Sequence, residues 1–223
     1  MNNLTKRILS AITLAPIVLY IIYIGGMAFN IMVAIAFAIM IWEWCRMTKA
    51  SPRKWAWWIS GLTYIGWACI CLIFLASSIA TTEKGYNFII IFLIFITIWA
   101  VDIGAYIAGK TFGKHKIAPK ISPNKTWEGL IGGMIGASII LTSFGKILPF
   151  NAIITLIIAG CVTAIVAQSG DFFESWVKRK FGVKDSSNII PGHGGLLDRL
   201  DGLLAIMWGL SIYFLVMTLV VGR

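Results

Sequence analysis

A short polar stretch at the end of one apolar run contains acidic and basic residues that could act on phosphates. It covers residues 169–175 and continues into the basic segment 176–180. Read as a helix, Asp171, Glu174 and Lys178 share one face, because they are three and seven positions apart. For Glu174, an ordinary solvated helix end with a Glu174–Lys178 pair is the alternative. For Asp171, function is favoured, because a carboxylate attached to an apolar run is costly to bury and usually marks a site.

A second stretch, residues 191–202, combines a glycine-rich turn with two carboxylates. The turn consists of Gly192, His193, Gly194 and Gly195. Glycines in such a turn let backbone amides approach a phosphate closely. Asp198 and Asp201 follow, one helical turn apart, at the start of the last apolar run. A simple helix N-cap is the alternative for Asp198, but it does not explain a second carboxylate one turn further along.

The carboxylates of these two stretches suggest a metal site. If Asp171, Asp198 and Asp201 converge on one point, they repel one another unless a cation binds them. Hard oxygen ligands suit Mg²⁺, which also takes substrate phosphates as ligands. The sequence therefore predicts Mg²⁺ bound by two or three of these carboxylates, and it leaves a second cation open.

A third polar stretch runs from Asp102 to Gly129. Asp102 lies inside an apolar run, on the side of its midpoint that leads to a lysine-rich loop. That loop ends with Ser122 and Lys125, and its cations could bind polyphosphate. An ordinary basic loop that touches anionic lipid is the alternative. Together, the three stretches indicate phosphoryl-type transfer, which needs cations around the phosphates and a metal that neutralises charge.

Apolar runs must position these residues. Hydrophobic residues make up 59% of the 223-residue chain and charged residues 13%, whereas a soluble domain is about 25% charged. Seven runs cover roughly 8–25, 28–45, 56–78, 86–108, 128–144, 150–170 and 200–221. We therefore predict an all-α integral membrane protein, a polytopic bundle of about seven transmembrane helices with a cytoplasm-facing polar site. The chain is predicted to be one membrane-embedded domain, 1–223, with N-terminal spans in 1–85 and catalytic spans and loops in 86–223.

The distribution of cations predicts the orientation. With the N-terminus inside and the spans alternating, sixteen of the 19 Lys and Arg residues lie on the cytoplasmic side. The other three are Lys84, Lys146 and Arg223. This asymmetry follows the positive-inside rule. The net charge of +10 is assigned to lipid headgroups and anionic substrates, with no nucleic acid, because the cations sit in short loops.

A pattern of about a dozen positions resembles the signature of the phosphatidate cytidylyltransferases, also called CDP-diacylglycerol synthases. The matching residues are Ser175, Lys178, Arg179, Lys184, Asp185, His193, Gly194, Gly195, Asp198, Arg199 and Asp201. The segments Asp102–Tyr106 and Ser122–Gly129 also look like that family. The resemblance extends over roughly 102–202, and the first three spans match only as generic apolar helices.

The resemblance implies a reaction in which CMP passes from CTP to phosphatidic acid, giving CDP-diacylglycerol and pyrophosphate. It implies a multi-pass protein of the cell inner membrane with its active site on the cytoplasmic face. The catalytic residues would be Asp171, Asp198, Asp201, Lys178 and Arg179. The substrate-binding residues would be Asp102, Ser122, Lys125, Lys184, Gly192, His193, Gly194 and Gly195. Within these sets, Lys178, Arg179 and Lys184 would hold the CTP phosphates. Lys125 and Ser122 would hold the lipid phosphate or the pyrophosphate. A homodimer is left open.

Three alternatives differ from this interpretation. A CDP-alcohol phosphatidyltransferase needs Asp-Gly-x2-Ala-Arg and two further aspartates, but Ile206 follows Ala205 and no acidic residue lies beyond Asp201. A CTP-dependent lipid kinase would release CDP instead of pyrophosphate. A transporter would place its carboxylates near mid-bilayer on repeated helices, whereas these cluster at one face and no repeat is visible.

Overall fold

Helices account for nearly all of the regular structure. The computed structural model describes residues 3–78, 86–146 and 152–221. The helices are α1 (Asn3–Ile24), α2 (Gly26–Thr48), α3 (Lys54–Ser78), α4 (Tyr86–Phe112), α5 (Trp127–Ser143), α6 (Ile153–Lys180) and α7 (Leu197–Val221). Each contains one of the seven predicted apolar runs or most of it. The predicted all-α class with about seven helices is confirmed.

The helices are those of a multi-pass membrane protein. Within the described residues, α2, α3, α4, α6 and α7 are long and apolar enough to cross a bilayer. The apolar part of α1, Ile12–Ile24, and the 17-residue α5 are shorter. Large apolar side chains stay exposed along α7 from Ile212 to Val220, where lipid rather than water would cover them. Lys84 and Arg223, which entered the orientation argument, lie outside the described residues.

The lysine-rich loop between α4 and α5 contains a short antiparallel hairpin, which the sequence did not indicate. Its strands are β1 (Lys116–Ala118) and β2 (Ser122–Thr126). The pairs are Lys116 with Thr126 and Ala118 with Ser122. Neither strand shows the alternation of apolar and polar residues that identifies a half-buried strand. The backbone ladder and the junction with α5 hold the hairpin instead.

The chain packs as two compact units, which we describe separately. The first unit consists of residues 1–92 and 177–223. Its core forms where α2, α3 and α7 contact one another, and Phe29, Trp44, Ile65 and Met207 are each at most 1% exposed. The Trp44 indole Nε1 donates to the Trp57 carbonyl oxygen at 2.7 Å. This bond ties α2 to the start of α3.

The second unit, residues 93–176, relies on very close approach of α4 and α5. A Cβ added to Gly136 would lie 2.5 Å from the Ala100 carbonyl oxygen, and one added to Gly133 would lie 3.1 Å from the Val101 carbonyl oxygen. Side chains at these positions would separate the helices. Gly132 and Gly136 are four positions apart, a spacing of small residues that is typical of helices that approach closely.

Replacing Gly136 with Ala is therefore expected to destabilise the second unit by about 1–3 kcal/mol, because the helices must separate to admit the methyl group. Thermal unfolding in detergent measures this. Gly66→Ala is a matched control, since its Cβ would meet only Phe37 Cε2 at an ordinary 3.5 Å. Equal melting temperatures for the two variants would contradict the close-packing argument.

Candidate active site

A cavity of about 230 Å³ that contains charged side chains lies within the second unit. Asp102 and Tyr106 of α4, Ser122 and Lys125 of β2, and Gln168 and Asp171 of α6 contribute to its lining. We call it the Asp171 cavity. Four residues predicted for the site, Asp102, Ser122, Lys125 and Asp171, therefore line one cavity. It offers two carboxylates and one ammonium to a ligand.

An ion pair crosses this cavity. The Lys125 ammonium pairs with Asp171 Oδ2, and the Ser175 hydroxyl donates to Asp171 Oδ1 at 3.1 Å. Lys125 Nζ also lies 5.2 Å from the centre of the Phe172 ring, a cation–π distance. The Lys125 ammonium thus makes two contacts with α6, and it lines a cavity in which an anion could be bound.

The junction of β2 and α5 fixes the strand that carries Lys125. Thr126 caps α5, because its Oγ1 accepts a hydrogen bond from the Gly129 amide at 3.0 Å. The Trp127 amide donates to the His115 carbonyl oxygen at 3.0 Å. His115 Nδ1 and Glu128 Oε1 are 2.6 Å apart. These contacts leave the strand little freedom to move away from α5.

Gln168 is a cavity residue that sequence reasoning missed. It is 5% exposed, and its Nε2 has no hydrogen-bond partner among the described residues. An unsatisfied buried donor is costly, by about 1–3 kcal/mol. Gln168 precedes Asp171 by three positions in α6. That spacing places both on one helix face, and a polar residue there was a signal that could have been used.

The turn between α6 and α7 lies in the first unit and carries the predicted glycines. We call residues 185–196 the glycine loop. Gly192 and Gly194 have positive φ values of 78° and 84°, which only glycine adopts readily. The His193 amide donates to the Ile190 carbonyl oxygen at 2.9 Å, and Arg199 Nη2 donates to the His193 carbonyl oxygen at 2.8 Å. The turn is thus closed by its own bonds.

Asp198, in the first turn of α7, is the internal anchor of the glycine loop. Its Oδ1 accepts from Lys178 Nζ at 2.6 Å. Its Oδ2 accepts from the Ser186 amide, the Ser186 hydroxyl and the Gly195 amide, each at 2.9 Å. These bonds differ from the simple N-cap considered above, because Asp198 lies inside α7 and these four donors are not α7 amides. The carboxylate instead holds the two ends of the loop together.

Glu43 of α2 is a second carboxylate on the glycine loop, and the sequence analysis did not assign it to the site. It is fully buried. It accepts from the Leu196 and Leu197 amides at 2.9 and 2.7 Å and from the Ser187 hydroxyl. Glu43 is the single acidic residue in its apolar run. The argument that identified Asp171, a carboxylate attached to an apolar run, could have identified it too.

Three further predicted residues also lie in the first unit. Arg179 is exposed and donates from Nη1 to the Val183 carbonyl oxygen at 3.2 Å. Lys184 is exposed on the loop. Asp201 follows Asp198 by one turn of α7, and its Oδ1 accepts from the Gly202 amide at 2.7 Å. Their roles toward a substrate stay predictions.

The carboxylates of the two units differ in how well they suit Mg²⁺. Within either unit, the described residues contain no group of three or more His, Cys, Asp or Glu side chains placed to hold a metal. Mg²⁺ often binds one or two carboxylates together with substrate phosphates, and Asp102 and Asp171 supply two in one cavity. This chemistry fits Mg²⁺. Asp198 differs, because both of its oxygens already accept from protein donors.

These features define an α-helical membrane protein with charged residues gathered at the ends of apolar helices. A family model described as the cytidylyltransferase family matches residues 5–85 and 53–217. The chain belongs to this family. The longer match contains both the Asp171 cavity and the glycine loop.

Curated relatives match over nearly their whole length. One from Rickettsia typhi is 39% identical, and the alignment covers 95% of this chain and 93% of the relative. One from Rickettsia bellii is 42% identical over 91% of this chain and 87% of the relative. One from Brucella suis is 34% identical over 92% of this chain and 91% of the relative. All three are named phosphatidate cytidylyltransferase.

Proposed function

We propose that this protein transfers CMP from CTP to phosphatidic acid, producing CDP-diacylglycerol and pyrophosphate for phospholipid synthesis. The observation that carries the proposal is the family match over 53–217, which includes every residue predicted for the site. The names of the curated relatives support the same reaction. Paired cations and carboxylates at the ends of apolar helices suit a reaction between a lipid phosphate and a soluble nucleotide.

The reaction needs little from the protein besides positioning and charge. An oxygen of the phosphatidic acid phosphate forms a bond to the α-phosphorus of CTP, while the bond from that phosphorus to the bridging oxygen breaks. Pyrophosphate leaves with the electron pair. The attacking oxygen is already anionic, because a phosphate monoester has a second pKa of about 6. Electrostatic stabilisation, not a general base, is then the main requirement.

The glycine loop region and the Asp171 cavity both supply cations that could bind substrate phosphates. In the first unit we assign Lys178, Arg179 and Lys184, with the Gly192–Gly195 turn, to the CTP phosphates. In the second unit we assign Lys125 and Ser122 to the lipid phosphate, with Asp102 lining the same cavity. We propose Asp171 as a Mg²⁺ ligand, and Asp198 and Asp201 stay predicted ligands, although Asp198 would have to exchange a present hydrogen-bond donor for the metal. When bound, Mg²⁺ would neutralise charge on the phosphates.

A direct assay tests the reaction. Purified protein in detergent is incubated with labelled CTP, phosphatidic acid and Mg²⁺, and both pyrophosphate and the labelled lipid are measured. Equal amounts of the two are expected, with loss of both when a chelator removes the metal. Release of CDP with a phosphorylated lipid would instead identify a lipid kinase. Activity that survives chelation would refute the metal proposal alone.

Lys125→Ala is expected to raise the KM for phosphatidic acid by about tenfold, because one charge-assisted hydrogen bond contributes about 1.5–3 kcal/mol. The KM for CTP should change little. Arg179→Ala is the matched comparison and should show the opposite pattern. Steady-state kinetics with each substrate varied in turn separate the two. Equal losses toward both substrates in both variants would refute this division of roles.

We also propose that the protein lies in the cell inner membrane with its active site toward the cytoplasm. The sixteen-to-three distribution of Lys and Arg supports it. With seven spans, a reporter fused after Arg223 should be active on the outer side. A second reporter, inserted in the loop between α2 and α3, should be cytoplasmic. Cytoplasmic activity of the C-terminal reporter would show that the number of spans or the orientation is wrong.

A further inference from the structure

We infer that Glu43 is a positioning residue for the reaction: its buried carboxylate holds the glycine loop in the shape that presents Lys178 and the turn amides to CTP. The inference rests on the proposed function, since it concerns the loop assigned to the nucleotide. Glu43 itself touches no reacting atom in this scheme. It acts through Ser186, Ser187 and the start of α7.

The contacts of Glu43 show what it holds. Its oxygens accept hydrogen bonds from the Leu196 and Leu197 amides, at 2.9 and 2.7 Å, and from the hydroxyls of Ser186, at 3.3 Å, and Ser187. All four donors belong to residues 186–197. The first amides of a helix have no partner within the helix, and a carboxylate near a helix N-terminus also gains from the helix dipole. Glu43 thus fixes where α7 begins.

A chain of hydrogen bonds leads from Glu43 to the proposed catalytic cation. The Ser186 hydroxyl lies within hydrogen-bond distance of both Glu43 Oε2 and Asp198 Oδ2, at 3.3 and 2.9 Å. Asp198 in turn accepts from Lys178 Nζ at 2.6 Å. Ser186 has one hydroxyl proton, so it serves one carboxylate at a time, while its amide stays bound to Asp198. Moving Glu43 would therefore displace Ser186 and, through it, the Asp198–Lys178 pair.

The close packing of Gly195 indicates that the loop is pressed directly onto Glu43. A Cβ at Gly195 would lie 2.5 Å from Glu43 Oε1 and would also overlap the Ser186 hydroxyl. No side chain larger than hydrogen fits between the carboxylate and the loop backbone. Glu43 and Ser186 are fully or almost fully buried, and in such surroundings hydrogen bonds to a charged group are strong. A small shift of the Glu43 carboxylate would therefore move the loop backbone as well, because the two are in direct contact.

The test replaces Glu43 with Gln, which keeps the size but exchanges one acceptor oxygen for an amide NH₂ group that faces a backbone N–H donor. We expect the KM for CTP to rise by about ten- to a hundredfold, as for loss of one or two hydrogen bonds to a charged group. The KM for phosphatidic acid should stay within about twofold, because no donor to Glu43 belongs to the Asp171 cavity. Ser187→Ala removes a single donor and should show a smaller loss with the same selectivity for CTP.

A control and a second readout separate positioning from folding. Trp44→Phe removes the bond from α2 to the Trp57 carbonyl but leaves Glu43 intact, so it should lower stability without raising the KM for CTP. Hydrogen exchange at the Leu196 and Leu197 amides should speed up in Glu43→Gln and not in Trp44→Phe. If Glu43→Gln does not fold, Ser187→Ala carries the same comparison.

The outcomes are distinct. If the KM for CTP is unchanged in Glu43→Gln and Ser187→Ala, or if both substrates are affected alike, Glu43 serves only the fold and the inference is wrong. If wild-type protein makes no CDP-diacylglycerol, the proposed function fails. The exchange measurement then still decides whether Glu43 fixes the loop, because it needs no substrate. Unchanged exchange at both amides would overturn the inference independently.

Discussion

Replacing Asp171 with Asn is expected to lower turnover by about a thousandfold or more while the protein stays folded. The carboxylate lines a cavity, and its side chain is 34% exposed, so the fold depends little on its charge. If it holds the proposed Mg²⁺, its loss removes several kcal/mol of charge stabilisation from the transition state, and about 4 kcal/mol corresponds to a thousandfold. The assay of labelled lipid gives turnover, and thermal unfolding in detergent gives stability.

Asp185→Asn is the matched control for that prediction. Asp185 is exposed in the glycine loop, so this variant should keep activity within a few-fold of wild type. Turnover of Asp171→Asn within the same range would rule out Asp171 as a metal ligand. A large drop in melting temperature would instead assign its carboxylate to folding, through the ion pair with Lys125.

The second large effect is expected at the buried pair of Lys178 and Asp198. Their side chains are 10% and 9% exposed, so removing the cation in Lys178→Ala leaves a carboxylate buried without its charge partner. Such a loss costs about 3–5 kcal/mol of folding free energy. CTP use should also fall steeply. Arg179→Ala, at the neighbouring exposed position, should change stability by no more than about 0.5 kcal/mol. Denaturant unfolding in detergent measures both.

A double variant shows whether the loss comes from the pair itself. Lys178→Met with Asp198→Asn removes both charges together, so the penalty of one unpaired charge disappears and part of the stability should return. Activity should not return, because the cation assigned to CTP is still missing. Additive losses in the double variant would mean that the two residues act independently, against the 2.6 Å contact.

The transmembrane helices were predictable because their signal is local. A run of about twenty apolar residues has few alternatives in a chain so poor in charge. The ends were less predictable, as α6 shows: the apolar run was placed at 150–170, but the helix continues to Lys180. Polar residues lengthen a helix without adding an apolar signal. The shared face of Asp171 and Glu174 was the better indicator of that extension.

The hydrogen bonds and ion pairs that shape the site were harder to predict from the sequence, because they join residues that are far apart in the chain. Glu43 and Ser187 are 144 positions apart, and no local pattern pairs a carboxylate in one span with hydroxyls near another. The pairing of Lys178 with Asp198 over 20 positions was equally hidden, although both residues were assigned to the site. The hairpin at Lys116–Thr126 lacks strand periodicity. Individual site residues could be named, whereas their partners required the fold.

The bond between Glu43 and the Leu197 amide also bears on how the protein is made. The two residues are 154 positions apart, and chains grow by about 5–20 residues per second. The carboxylate of α2 is thus synthesised about 8–30 s before the amide that it will bind. During that interval, α2 enters the bilayer with an acid that water, lipid headgroups or the insertion machinery must accommodate. The glycine loop can acquire its final shape only after α7 has begun to leave the ribosome.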